Sequence, residues 1–148
     1  MRPLAASEIA AVAAQLAAMD PWLTLGFGAE ALARYLGRDD PALRRMVLER
    51  DGLPAGLLAL RAPWLRGPYV ELLAVLPGHQ GGGLGRAMVE WAAAQAAGAH
   101  NLWACVSSFN VAARDFYRKA GFTEVSPLPD LVADGFDEIL LRRRLAAQ

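Results

Sequence analysis

Ile9, Val12, Leu16 and Met19 recur at three- and four-residue intervals, the period that gathers apolar side chains on one face of a helix. Ser7-Glu8 precedes the run as a helix start would and Asp20-Pro21 ends it, so a helix is predicted over 7–19. A shorter helix is predicted over 29–36, stopped at Gly37. There the period changes. Short apolar runs at 45–50 and 55–61 flank Asp51-Gly52-Leu53-Pro54, the pattern of a β-hairpin. Pro63 and Gly67-Pro68 then break the chain ahead of 69–76, the strongest strand pattern in the sequence. Past Pro77-Gly78 a glycine cluster leads into a helix over 84–97, with Leu84, Met88, Trp91 and Gln95 on one side. A strand over 102–106 is followed by a helix over 110–120 that Gly121 closes. Strands over 122–128 and 138–145, with a Pro- and Asp-rich loop between them, complete the chain, and a further strand is predicted near 2–5. The order β-α-α-β-β-β-α-β-α-β-β predicts one α/β (α+β) domain over 1–148. Its sheet is mixed, mostly antiparallel and six- to seven-stranded, with helices on both faces.

Bulk composition narrows the partners. In 148 residues, 55% are hydrophobic and 20% charged, which suits a folded globular chain. Fifteen basic side chains balance fifteen acidic ones, against the basic excess of a general nucleic-acid binder. Cys105 is the only cysteine, so no intrachain disulfide is available. The uncharged run 9–19 is too short to span a bilayer, and a cytoplasmic protein without a membrane or nucleic-acid partner is expected. Two histidines without clustered cysteines or carboxylates predict no metal site. Cys105 reads as a small buried group inside its strand, Trp91 and Trp103 as core, and Arg142-Arg143-Arg144 as a solvated edge.

The turn Gln80-Gly81-Gly82-Gly83-Leu84-Gly85-Arg86 lies between a strand and a helix. Glycines there let consecutive amides converge on an anion beside the positive end of the helix, and Arg86 adds a charge. A P-loop would need Lys-Ser/Thr where Arg86-Ala87 stands. A dinucleotide fold would need the turn after the first strand of a βαβ unit, with an acid about twenty residues on where Cys105 stands. A diphosphate cradle and a bare glycine turn both remain.

This segment resembles the signature loop Gln/Arg-x-x-Gly-x-Gly/Ala of the GCN5-related N-acetyltransferase (GNAT) superfamily, and the strand before it resembles the family's fourth strand. Asn110, Ala113, Phe116, Tyr117, Gly121 and Phe122 fill every position of the family's second signature, Asn-x-x-Ala-x-x-Phe-Tyr-x-x-x-Gly-Phe. The resemblance implies acetyl-coenzyme A as co-substrate and transfer of its acetyl group to a primary amine of a small molecule or peptide, with a homodimer common. It implies that Leu73, Ala74 and Val75 hold the pantetheine arm like an added strand. Gln80, Gly81, Gly82, Gly83, Leu84, Gly85 and Arg86 would take the diphosphate, with Asn110, Ala113, Phe116 and Tyr117 along the cofactor. Tyr117 would lie beside the sulfur and protonate the departing thiolate; it reads otherwise as a core aromatic.

Strand alternation puts Tyr69, Glu71, Leu73 and Val75 on one face, leaving Glu71 as a carboxylate among apolar neighbours. Such a group is a candidate base, its pKa raised by burial, and reads equally as a sheet carboxylate with a structural partner. In similar folds the acceptor pocket is built by the junction of the first two helices and by the last hairpin. Trp22 and Phe27 are candidates from the first, as pocket wall or core, and Asp134 and Asp137 from the second, holding a cationic amine or simply forming a polar loop. A GNAT-fold module that binds acyl-coenzyme A as a sensor or subunit without catalysis is the other reading, and a protein-interaction domain with a vestigial loop a third.

Overall fold

Apolar periodicity builds helices that each bury one stripe. In the computed structural model, which describes residues 1–96 and 98–146, a 3-10 turn at Ala6–Glu8 leads into α1 (Ile9–Ala17), which buries Val12, Ala13 and Leu16. α2 (Ala29–Gly37) buries Leu32 and Leu36. α3 (Leu84–Ala94) stops short of its predicted end, and position 97 lies outside the described residues. Its buried stripe runs through Gly85, Met88, Val89 and Ala92; Trp91 flanks it, its ring under the Arg44 guanidinium at 5.2 Å. α4 is Val111–Lys119, capped by the Asn110 side chain, which accepts from the Ala113 amide at 3.1 Å.

The strands are β1 (Arg2–Pro3), β2 (Leu43–Arg50), β3 (Leu53–Trp64), β4 (Gly67–Val75), β5 (Asn101–Ser107), β6 (Thr123–Ala133) and β7 (Phe136–Arg144). They form one seven-stranded sheet in the order β1-β2-β3-β4-β5-β7-β6, antiparallel except for β4 and β5. Asp51 and Gly52, both at positive φ, make a tighter β2–β3 turn than the four residues predicted. The predicted loop before 138 is instead mostly strand, with Asp134-Gly135 as the turn. Arg142 and Arg143 are not a solvated edge: Arg142 Nε donates to Asn101 Oδ1 at 2.7 Å and Arg143 pairs with Glu90 at 2.9 Å.

β3 is buried on both faces, as a central strand covered by helices must be. Leu57 and Ala59 join α1 and α2 in one core, whereas Leu58 and Leu60 join α3 and α4 in the other.

Candidate functional site

One β-bulge governs the centre of the site. Along β4 the partners on β3 run Val75–Gly56, Ala74–Leu57, Leu73–Leu58 and Leu72–Ala59, then jump to Val70–Leu60, which leaves Glu71 as the extra residue. The bulge breaks the alternation predicted for this strand. Leu73 and Val75 face the α3–α4 core together with Val70, while Leu72 and Ala74 face the α1–α2 core. Glu71 points to the second side, where it accepts from the Tyr35 hydroxyl of α2 at 2.9 Å. Arg61 grips it with two nitrogens, Nε on Oε2 and Nη2 on Oε1 at 3.2 Å, and also reaches Asp40 at 3.1 Å. The expectation of a carboxylate among apolar neighbours is therefore corrected: Glu71 sits at the centre of an ion-paired cluster.

The same register aims the backbone. The Leu76 amide donates to the Ala55 carbonyl at 2.9 Å, so in this antiparallel ladder Leu76, Ala74 and Leu72 face β3, and Leu73 and Val75 turn their N–H and C=O groups the other way. On that side lies β5, which pairs with β4 only at Tyr69–Trp103 and Val70–Ala104. Beyond Val70 the two strands splay. The wedge they leave opens into a cleft of about 940 Å³.

One end of the cleft is the glycine turn. Gly81 and Gly83 take φ of +82° and +77°, which is open to glycine at little cost, and Gly83 is the N-cap of α3 without any side-chain cap. Amides of Gly81 to Arg86 donate to no acceptor among the described residues. Gln80 Nε2 lies 3.5 Å from the Val75 carbonyl. Gly82 does not line the cleft; it faces the guanidinium of Arg50, which no sequence signal pointed to. At Gly85 a Cβ would stand 3.1 Å from the Phe116 ring, so this position lets α3 and α4 close up.

At the middle of the cleft Asn110, Ala113, Phe116 and Tyr117 line the α4 wall, with the Asn110 Oδ1 engaged as the helix cap. Tyr117 is 6% exposed, and burial first, then the nearby Cys105 and Glu138, raises its pKa far above the usual phenol value. Its hydroxyl forms no hydrogen bond with the described residues, yet it is not sealed in, because Arg45 Nε is the one fully buried side-chain polar atom lacking a partner among them. Cys105 departs from its predicted place in the core: it is half-buried and lines the cleft beside Tyr69.

At the far end, Trp22 and Phe27 line the wall and also pack on the α1–α2 core. Asp134 sits in the exposed β6–β7 turn and Asp137 is exposed on β7; neither lines the cleft. From this hairpin the cleft receives Val132 and Glu138 instead. Among the described residues no cluster of His, Cys, Asp or Glu could hold a metal.

A family model described as "Acetyltransferase (GNAT) family" matches residues 12–122, three quarters of the chain. The chain belongs to that family. As a GNAT chain it is 35% identical to streptothricin acetyltransferase of Streptomyces lavendulae over 89 residues, 58% of this chain and 47% of that protein. It therefore spans about half the length of that curated relative. The solved nourseothricin acetyltransferase is 33% identical, with a TM-score of 0.65 over 73% of this chain and 68% of the other. A putative streptothricin acetyltransferase from Bacillus anthracis, solved in complex with acetyl coenzyme A, is 18% identical with a TM-score of 0.62 over 73% of this chain and 65% of the other, a likeness of fold. Both signature segments of the GNAT chain meet at the cleft: the glycine turn at one end and the 110–117 face along its middle.

Proposed function

We propose that the protein is an acetyl-coenzyme-A-dependent N-acetyltransferase that acetylates a primary amine of a small molecule or peptide by direct attack in a ternary complex. The observation that carries this reading is the unpaired stretch of β4: the main-chain groups of Leu73 and Val75 face a cleft that runs from the free amides of residues 81–86 to the hydroxyl of Tyr117. That arrangement suits a long ligand with a diphosphate at one end and an extended amide-bearing arm.

In this role the amides from Gly81 to Arg86, with Arg86 and Arg50 beside them, hold the diphosphate. Leu73, Ala74 and Val75 receive the pantetheine arm as a missing strand, and Ala113 and Phe116 flank it. The thioester supplies an acetyl group already activated toward amines. The Val75 N–H is the donor placed to polarise its carbonyl. Tyr117, protonated throughout the neutral range, donates its proton to the departing thiolate. Trp22 and Phe27 wall the acceptor side. The names of the streptothricin and nourseothricin relatives, and the bound acetyl coenzyme A in the Bacillus anthracis structure, support the same chemistry.

Release of free thiol from acetyl-coenzyme A is measured with streptothricin, spermidine and a peptide with a free N-terminal alanine as acceptors. At least one is expected to accelerate release well above the amine-free rate. Tight uptake of coenzyme A with no amine-dependent release would favour the non-catalytic acyl-coenzyme-A sensor. No uptake at millimolar coenzyme A would remove both readings.

A further inference from the structure

Three carboxylates line the cleft: Asp20, Glu71 and Glu138. Glu71 is neutralised by Arg61. Asp20 is exposed, and its Oδ1 is taken by the amide and hydroxyl of Thr24 at 3.1 and 2.6 Å. Glu138 is different. It is 6% exposed and makes no ion pair with any described residue. Oε1 accepts from the Ser107 hydroxyl, its antiparallel neighbour on β5, at 2.5 Å. Oε2 accepts from no described residue and is not sealed from the cleft.

A buried carboxylate without a cation is costly to keep, since burial disfavours the charge and the Ser107 hydrogen bond offsets only part of that cost. The groups facing Glu138 make the deficit sharper. From β5 come Ser107 and the Cys105 thiol, from α4 the Tyr117 hydroxyl, and Tyr69 on β4 adjoins Cys105; on β6 its register partner is Leu128. None is a cation. The cations that line the same cleft, Arg86 at the glycine turn and Lys119 paired with Asp115, make no ion pair with Glu138, which leaves room for a positive charge brought by a ligand.

We propose that Glu138 is the catalytic base, receiving the ammonium of the acceptor on Oε2 and taking its proton, and that the acceptor is an aliphatic amine that arrives charged. This rests on the acetyltransferase reading above and names the group that prepares its nucleophile. Glu138 accepts one proton from R–NH3⁺. The nitrogen lone pair so freed forms the C–N bond as the C–S bond breaks. Tyr117 protonates the thiolate and regains a proton from the nitrogen as the amide forms. The proton on Glu138 leaves to solvent. An amine with a pKa near 10.4 is almost wholly charged at neutral pH and gains most from such a base. Burial, which outweighs the opposing Ser107 hydrogen bond, raises the pKa of Glu138 toward the range in which a carboxylate accepts protons well.

The test is the pH profile of kcat/KM for Glu138→Gln, with whichever of streptothricin, spermidine and the alanine peptide the wild type turns over fastest. Gln keeps a partner for Ser107. The variant is expected to bind coenzyme A like the wild type and to lose about 100-fold in kcat/KM at pH 7, a deficit that shrinks as pH nears the pKa of the amine itself. Should Glu138→Gln be poorly folded, Ser107→Ala gives the second arm: loss of a bond to the charged form should move the acid limb of the profile to higher pH. Wild-type kcat/KM in Glu138→Gln at pH 7, a deficit equal at every pH, or an unmoved limb in Ser107→Ala would overturn the assignment of Glu138 alone. A wild type inactive on all three amines would overturn the acetyltransferase reading with it.

Discussion

Tyr117 and Glu138 are both nearly buried, and burial pushes both toward the protonated form, with opposite consequences for chemistry. A phenol so held keeps its proton through the neutral range and remains a donor to a thiolate departing beside it. Tyr117→Phe is therefore expected to lower kcat about 100-fold while leaving the calorimetric Kd for acetyl-coenzyme A within twofold. For Glu138 the cost shows in stability. Its raised pKa means that the ionised form is disfavoured in the folded chain, so stability is lost as pH rises through that pKa and the penalty vanishes below about pH 4, where folded and unfolded states are both protonated. Glu138→Gln, which never ionises, should melt above the wild type at pH 8, and the two melting temperatures should converge at pH 4. A variant that melts lower at pH 8 would mean that the charge is compensated after all.

Between elements, α3 closes on α4 where Gly85 meets the Phe116 ring, a Cβ there standing 3.1 Å from it. A valine there must push the ring aside, so Gly85→Val is expected to cost about 1–3 kcal/mol in urea unfolding at unchanged m and to weaken coenzyme A uptake. This contact follows from a glycine that the sequence displays openly, and much else was legible in the same way. The signatures at 80–86 and 110–122 are local strings, and their element types follow from local period. What escaped depends on partners distant in sequence. The bulge at Glu71 exists only in the pairing of β3 with β4, and the ion pair with Arg61 follows from it. Pro129 and Asp130 are poor strand residues and predict an early end to β6, yet Pro127 and Pro129 are tolerable on an edge strand with one free side. Extending that hairpin removes Asp134 and Asp137 from the cleft and brings Glu138 in, a one-residue matter of strand face.

At the scale of the molecule, the two cores lie on opposite faces of one sheet and share β3, and the cleft cuts in where β4 and β5 part. A ligand that binds only the folded chain at 100 times its Kd adds about 2.7 kcal/mol, so saturating coenzyme A should raise the melting temperature by roughly 5–10 °C. An unchanged melting curve at millimolar coenzyme A would contradict the site. The splay itself has one more consequence. Most sheets keep their unpaired edges at the outside, where prolines and charges guard them, as Pro127 and Pro129 do on β6. Here Leu73 and Val75 form a third edge in the middle of the molecule, without such guards and recessed within the cleft. Depth alone shields it from other chains, and a bound coenzyme would act as its cover, so the loaded protein should resist aggregation under mild heat at concentrations where the empty one does not.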